Sequence, residues 1–203
     1  IDSGEATEEQ KTELAKLKAE LDSLPKEDFK AIIGCEVYVA RRGLQFKEGK
    51  QDQSGYHLIL LAKNEKGYKN LIKIVSNSWT DGFYMRPRTD HHNLEKYHEG
   101  VIALSGGIGS EVYSHIVSDD IAGLDATIKW YKQTFGEDYY LELQRCADYD
   151  LKSDTPSDLM LEQQRVNAVL MQKANESGVK VVATNDVHYV APEDLAAYNI
   201  QQC

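Results

Sequence analysis

Cysteine is scarce in this 203-residue chain, and long apolar runs are missing from it. The three cysteines, Cys35, Cys146 and Cys203, are odd in number, far apart and free of any C-x-x-C pair, so neither a disulfide framework nor a thiolate zinc site is indicated. No stretch of about 18 apolar residues occurs, and the first residues lack the basic and apolar regions of a signal peptide. We therefore exclude membrane-spanning and secreted proteins and predict a protein of the reducing cytoplasm.

Positive charge is also in short supply. The chain has 23 Lys and Arg against 33 Asp and Glu, and its formal net charge is −10. That sign is wrong for a stand-alone polyanion binder, so a role on nucleic acid requires a local basic patch, a metal or another domain. Because the chain begins with Ile1 instead of Met and ends while a helical pattern is still running, we expect a piece of a longer protein.

Two regions of different composition are present. Residues 1–30 are rich in charge, and a capping box at Thr7–Gln10 followed by leucines three and four residues apart predicts a helix over residues 7 to 24. We interpret 1–30 as a charged amphipathic helix, either an insertion or an appendage, with most of its surface in solvent. Residues 31–203 then form the main domain.

The main domain alternates short apolar runs with helix-period segments, a pattern that predicts an α/β fold with a parallel sheet, either an α/β barrel or a doubly wound sheet. Five strands are few for a closed barrel, which again indicates missing sequence. Residues 41–54 between the first two strands are predicted to be a solvated loop. The predicted strands are Ala31–Ala40, Tyr56–Ala62, Gly100–Ser105, Tyr139–Gln144 and Val179–Tyr189, and the predicted helices are Gly67–Ser76, Ser110–Val117, Ile121–Phe135 and Pro156–Asn175.

Two polar side chains interrupt the first two strands. Glu36 lies in a hydrophobic strand, where period-two alternation puts it on the same face as Gly34 and Tyr38. A buried carboxylate needs a cation, a metal or several donors, unless Glu36 simply faces water at a strand end. His57 opens an otherwise apolar strand and is either a functional residue or a satisfied structural histidine.

The last predicted strand ends with an Asp-x-His pair, Asp186 and His188. Residues two apart in a strand point the same way, so a carboxylate oxygen and an imidazole nitrogen converge there. That pair suits one divalent ion such as Zn²⁺ or Mn²⁺. Because such a pair is common by chance, it carries weight only together with other ligands.

A short segment before the third helix combines aromatic and basic residues. Arg86 and Arg88 follow Trp79, Phe83 and Tyr84, and stacking plus charge predicts contact with a nucleic-acid strand; ordinary loop packing is the alternative.

Taken in order, five segments resemble the PHP (polymerase and histidinol phosphatase) domain, in the form carried by bacterial replicative DNA polymerase III alpha subunits. The ordered series is far more specific than any one motif and spans roughly residues 30 to 203. The segments are Ala31–Glu36, Tyr56–Asn64 with Gly67–Leu71, Gly82–Arg88, Leu94–Gly100 and Val182–Tyr189.

The resemblance implies a distorted (β/α)7 barrel, here incomplete at its amino end, with a metal cluster at the carboxyl ends of its strands. On the matching positions, Glu36, His57, Asp186 and His188 are the expected metal ligands. The implied cofactor is a divalent metal, Zn or Mn, bound weakly or absent in this fragment. The implied partners are the remainder of a polymerase chain, other replicase subunits and, through the parent protein, DNA, with no membrane association.

Two departures weaken the expected metal site. Residues 1–30 contain no histidine, although the family's His-x-His motif precedes the Glu36 strand, and we attribute this to truncation. Gly107 stands where metal-competent relatives place a Cys or His. We therefore expect a structural and docking module of a DNA-replicating polymerase, inactive by itself, since nucleotidyl transfer belongs to another domain of the parent. The alternatives are an active metal-dependent 3′–5′ exonuclease or phosphoesterase, and an unrelated TIM-barrel hydrolase.

Overall fold

The computed structural model describes residues 31–145 and 158–201, together with Thr12, Glu13, Ala15, Lys16 and Ala19. Contacts divide the chain into two units, Ile1–Ile32 and Ile33–Cys203. Within the first unit, Thr12, Glu13, Ala15, Lys16 and Ala19 are helical and exposed. The capping box at Thr7–Gln10, most of the predicted helix over residues 7 to 24, and the start of the predicted helix at Pro156 lie outside the described residues.

The second unit is built from alternating strands and helices. Its strands are β1 (Gly34–Val39), β2 (Tyr56–Ala62), β3 (Arg88–Thr89), β4 (Val101–Leu104), β5 (Tyr139–Gln144) and β6 (Lys180–Thr184). Its helices are α1 (Glu65–Thr80), α2 (His91–Tyr97), α3 (Glu111–Val117), α4 (Ile121–Phe135), α5 (Asp158–Ser177) and α6 (Leu195–Gln201). The predicted bounds of β2, β5 and α4 are confirmed to the residue, whereas β3 and α2 were not predicted.

The six strands form one mixed sheet in the order β3-β1-β2-β4-β5-β6. β1 pairs parallel with β3, and β4, β5 and β6 pair parallel with one another, whereas β2 runs antiparallel to both β1 and β4. The α/β class is confirmed, but the prediction of a parallel sheet is wrong for β2. No α-helix lies between β1 and β2, so the chain turns back on itself there instead of crossing over. Among the described residues β3 and β6 are the outer strands, and barrel closure stays a prediction.

The side chain just before a helix marks where four of the helices begin. Four helices begin after an Asn, Asp or Ser whose side-chain oxygen accepts the backbone N–H three residues on, which satisfies a donor that the helix itself leaves free. Each cap therefore fixes the residue at which its helix begins. The caps are Asn64 for α1, Asp90 for α2, Ser110 for α3 and Asp120 for α4.

The alternation of β1 decides which side chains reach the candidate site. Val37 and Val39 are buried in the core, and Cys35 packs against it, as the alternation predicted. Burial raises the pKa of the Cys35 thiol, with a further contribution from the charge of Glu36. Glu36 and Tyr38 therefore lie on the opposite face of the strand, away from the main core.

The loop over residues 41–54 is exposed at more than half of its residues, as predicted, but Arg88 anchors it to the domain. The guanidinium of Arg88 is fully buried and donates to three backbone carbonyls, those of Gly82 at 3.1 Å, Asp52 at 2.9 Å and Phe46 at 3.1 Å. The buried carboxylate of Asp52 in turn accepts two hydrogen bonds from Arg42, at 3.0 and 2.6 Å. These contacts tie the loop to the residues before β3.

Within the described part of the chain, no helix combines the length and the apolar character that crossing a membrane requires.

We predict that Arg88→Met destabilises the fold by about 3 kcal/mol or more, because it leaves three carbonyl acceptors without their donor. Arg86→Met is the matched control: Arg86 is exposed, so its substitution is expected to cost less than about 1 kcal/mol. Urea unfolding of both variants measures the difference. Equal losses of unfolding free energy would contradict the anchoring role of Arg88.

Candidate functional site

The antiparallel pairing of β1 and β2 brings two of the predicted ligands into contact. In the ladder His57 lies opposite Tyr38, one position along from Glu36 on the same face. His57 Nδ1 lies 2.8 Å from Glu36 Oε1, and both side chains are partly exposed. The hydrogen bond from His57 lowers the pKa of Glu36, against a smaller opposing effect of partial burial. Glu36 is therefore a carboxylate held in its charged form by an imidazole.

The other two predicted ligands, Asp186 and His188, lie in the segment after β6. The strand ends at Thr184, five residues earlier than predicted, and Asp186 has a left-handed φ of 49°. His188 turns back so that its Nδ1 lies 2.7 Å from the backbone oxygen of Asp186 and 3.8 Å from the Asp186 carboxylate. Because a carbonyl oxygen only accepts, Nδ1 of His188 is the donor in this contact.

The segment after β6 lies near the Glu36 face of β1. The charge of His188 contributes to lowering the pKa of Glu36, although less than His57 does. Three of the four predicted residues therefore interact, and Asp186 joins them through His188, whose Nδ1 lies 3.8 Å from its carboxylate. The side chains of Asp186 and His188 were predicted to point the same way because both were placed in one strand. β6 ends at Thr184, before either residue, so strand alternation does not set their directions.

Glu142 is a carboxylate of this site that the sequence interpretation missed. It lies within β5, is only 5% exposed, and accepts a hydrogen bond from the Thr184 hydroxyl. Its Oε2 has no hydrogen-bond partner among the described residues. Burial raises the pKa of Glu142, and the charges of Asp186 and Glu36 raise it further. The signal was present in the sequence, because Glu142 interrupts an apolar strand just as Glu36 does.

The glycine-rich loop after β4 closes one side of the site. A Cβ atom placed on Gly107 would lie 1.9 Å from Oε1 of Gln144, the oxygen that accepts the Ile108 N–H at 3.1 Å. The neutral amide of Gln144 therefore fills the space that a side chain at position 107 would use. The loop also pairs with the start of β2, since the backbone N–H of His57 donates to the Gly109 carbonyl at 3.1 Å.

The structure separates the two arginines that were predicted to bind nucleic acid. Arg88 is buried with its guanidinium donating to carbonyls, so it cannot reach a ligand in this fold. Arg86 is exposed and donates from Nη1 to the Tyr38 hydroxyl at 2.6 Å. The Tyr38 ring meets His57 edge-on at a centroid distance of 5.0 Å. Arg86 thus lies at the rim of the site, two side chains away from Glu36.

The side chains of the site are of the chemical types that bind divalent ions. Two imidazoles and three carboxylates, one of them with an unpartnered buried oxygen, are ligands that Zn²⁺ and Mn²⁺ accept. In the described ranges, however, no group of three or more His, Cys, Asp or Glu side chains is arranged to hold a metal ion. The side chains therefore need to rotate before they can share one ion. Metal binding by the four predicted ligands therefore stays a prediction.

Comparison with known proteins identifies one family. A family model for the PHP domain matches residues 6–146. The alpha subunit of DNA polymerase III from Borreliella burgdorferi is 44% identical over 181 residues, which cover 88% of this chain and 15% of that protein. The corresponding subunits of Deinococcus radiodurans and Thermus aquaticus are 37% and 38% identical over 84% of this chain. The chain spans only 12% and 13% of their lengths.

We predict that Glu142→Gln stabilises the protein more at about pH 7 than at about pH 4. Because the folded pKa of Glu142 is raised, the folded state binds the proton more tightly than the unfolded chain, and wild-type stability falls as the pH rises from the unfolded pKa through the folded one. Gln does not titrate, so the variant escapes that loss. Urea unfolding at both pH values measures it, and a stability difference that is the same at both would contradict the prediction.

Proposed function

This chain belongs to the PHP domain family, and we propose that it forms part of a bacterial DNA polymerase III alpha subunit, where it serves DNA replication mainly as a structural and docking module with a degraded metal site. The remainder of that polymerase chain is its proposed first partner. Contacts with other replicase subunits, and with DNA through the parent protein, belong to the same proposal.

The observation that carries the degraded site is the packing of Gln144 against Gly107. In this family position 107 is expected to hold a Cys or His ligand, but here a neutral amide fills the space and is fixed by the Ile108 N–H. Losing a ligand from a cluster lowers metal affinity and loosens the geometry of the rest. Restoring a ligand at position 107 also requires moving Gln144.

A second candidate function, metal-dependent hydrolysis of a phosphodiester at a 3′ end, is favoured by the contact between His57 and Glu36. A bound divalent ion supplies acidity to a water and charge to the phosphate oxygens. Glu36 orients the His57 ring by accepting from Nδ1, and His188 is oriented by the Asp186 carbonyl, so each imidazole keeps Nε2 for another ligand.

Arg86 extends this second candidate to the nucleic acid. Its guanidinium is exposed beside Tyr38 at the rim, where it is able to contact a strand phosphate. The exposed rings of Trp79 and Phe83 stack on each other with centroids 5.7 Å apart and offer a surface for bases.

Metal content and nuclease assays distinguish the two functions. For the degraded site we expect less than one equivalent of metal after dialysis, measured by mass spectrometry, and no Mn²⁺-dependent shortening of a labelled single strand from its 3′ end. His188→Ala is the control for any turnover observed. One equivalent of tightly held metal, with turnover abolished by His188→Ala, would contradict the degraded site and favour the nuclease.

The residues after β6 support the docking role. Val187, Val190 and Ile200 are 74%, 97% and 77% exposed, an arrangement that leaves three large apolar side chains in water. Apolar area left in water costs about 25 cal/mol per Å² relative to burial. Because the relatives are several times longer than this chain, we propose that this apolar segment packs against the remainder of the polymerase subunit.

We predict that Val190→Asp lowers the melting temperature of the full-length subunit, because it places a charge in a buried contact. In the 203-residue chain the same change is expected to alter stability by less than about 0.5 kcal/mol, since Val190 is exposed there. Val190→Thr, which keeps the shape, serves as the control in both. Differential scanning fluorimetry measures the effect, and equal shifts in the two proteins would argue against docking through this segment.

A further inference from the structure

We propose that the outer face of α1 is a docking surface for an amphipathic helix that belongs to the remainder of the polymerase subunit. The surface, called the α1 seam from here on, consists of Tyr68, Ile72, Val75 and Trp79. The inference rests on the proposed function in that the chain forms part of such a subunit. It adds a second contact, separate from the apolar segment after β6, and it specifies the kind of element that this contact receives.

The spacing of the α1 seam is that of helices that pack side by side. Its four residues are separated by four, three and four positions within one helix, so they lie along one stripe of its surface. An apolar residue at every third and then fourth position is the pattern by which one α-helix packs against another. From Tyr68 to Trp79 the stripe is about 16 Å long, or about three turns of helix.

The α1 seam lies in water although it is apolar. Tyr68, Ile72 and Trp79 are 43%, 47% and 59% exposed, and Val75 between them packs partly against the core. A helix in the outer layer of an α/β domain presents polar side chains to water, and single apolar exceptions need no explanation. Four apolar residues in line are not single exceptions, and covering them would be favourable.

A comparison within the same domain shows that this alignment is not general. The longest helix, α5, also exposes apolar side chains, but Leu159, Leu161 and Met171 are separated by two and ten positions. None of these separations is three, four or seven, so the three side chains point in different directions around the helix. Exposed apolar residues therefore form a stripe on α1 and not on α5.

Large apolar side chains also follow the α1 seam along the chain. Phe83 is 46% exposed, and its ring stacks on that of Trp79 with the centroids 5.7 Å apart. Met85 is 66% exposed and has a left-handed φ of 61°, a strained conformation for a residue other than glycine. Such strain persists where the surrounding structure holds it and is concentrated at functional surfaces. The apolar surface therefore extends beyond the carboxyl end of α1.

The inner face of α1 holds the seam in a fixed position. Ile74 is fully buried, and Gly67 lies so close to Gly100 that a Cβ atom on it would overlap the Gly100 carbonyl oxygen. The side chain of Asn70 donates to the carbonyl of Glu99 at 2.8 Å. A surface that is already formed loses little conformational freedom when a partner binds.

The charges of α1 favour a protein partner over a nucleic acid. Lys69 pairs with Glu65 at 2.6 Å, and Lys66 pairs with Glu99 at 3.5 Å. Of the three lysines of α1, only Lys73 has no carboxylate partner among the described residues. Binding a polyanion depends on several unpaired basic groups along its path. The seam therefore offers apolar area rather than positive charge.

The size of the relatives indicates where the partner helix comes from. The chain spans 15% of the Borreliella burgdorferi subunit and 12% of the Deinococcus radiodurans subunit, so most of such a subunit lies outside these 203 residues. A helix of the same polypeptide has a high effective concentration beside α1, which favours a contact that two separate molecules would make only weakly. The remainder of the subunit is therefore the source of the partner helix.

Hydroxyl-radical footprinting with mass spectrometry tests the inference without a substitution. Trp79 and Met85 are expected to be modified at least about fivefold more slowly in the full-length subunit than in the 203-residue chain, because a packed interface excludes water. Met171, which is 42% exposed on α5, is the internal reference. Its rate of modification is expected to differ by less than about twofold between the two proteins, since it lies outside the seam.

A substitution in the α1 seam gives an independent readout. Ile72→Asp is expected to lower the melting temperature of the full-length subunit more than that of the 203-residue chain, because only the subunit buries the new charge. Leu161→Asp is the matched control, since Leu161 is a helical residue of similar exposure, 50% against 47%, outside any stripe. Its effect is expected to be the same in both proteins.

Unchanged modification of Trp79 and Met85 in the full-length subunit would overturn the inference, and so would equal protection of Met171. If Val190→Asp destabilises the full-length subunit selectively and Ile72→Asp does not, the contact after β6 stands and the α1 seam fails. If Ile72→Asp acts selectively and Val190→Asp does not, the seam stands and the other contact fails.

Two other occupants would also overturn the inference. A concentration-dependent dimer of the 203-residue chain that Ile72→Asp abolishes, measured by sedimentation, would assign the seam to a second copy. Binding of a labelled single strand to the 203-residue chain that is lost in both Ile72→Asp and Trp79→Leu would assign it to nucleic acid.

Discussion

The antiparallel pairing of β2 with β1 is the constraint on which the candidate site depends. Because β2 runs opposite to β1, its second residue, His57, lies beside the carboxyl-terminal half of β1, within 2.8 Å of Glu36. A parallel β2 would place the same histidine near Gly34, at the other end of the strand. The ladder hydrogen bonds between the strands thus decide which imidazole meets which carboxylate, and the loops add Asp186 and His188 afterwards.

The surroundings of Glu36 and Glu142 shift the pKa values of the two carboxyl groups in opposite directions. An imidazole contact lowers the pKa of Glu36, whereas burial raises that of Glu142. The protein therefore keeps one negative charge stable at the surface of the site and one unfavourable charge beneath it.

Much of the fold is predictable from local signals, and the site only in part. β5 and α4 were predicted correctly because apolar periodicity and flanking polar or glycine residues mark their ends. Strand composition does not report strand direction, but the lack of a predicted helix between β1 and β2 was a usable signal for their antiparallel pairing. Nothing local distinguishes Arg86 from Arg88, two residues apart, although one is exposed and the other buried. The left-handed backbone at Asp186 ended a strand that composition alone would extend.

The anchoring of the loop over residues 41–54 by Arg88 has a consequence for engineering the molecule. Loops of this length on a protein surface are the usual choice for circular permutation or for inserting a reporter domain. Here a cut or insertion between Phe46 and Asp52 would separate two carbonyl oxygens from the single guanidinium that holds both. The connection is therefore anchored to the domain although much of it is exposed, and new chain ends are better tolerated elsewhere.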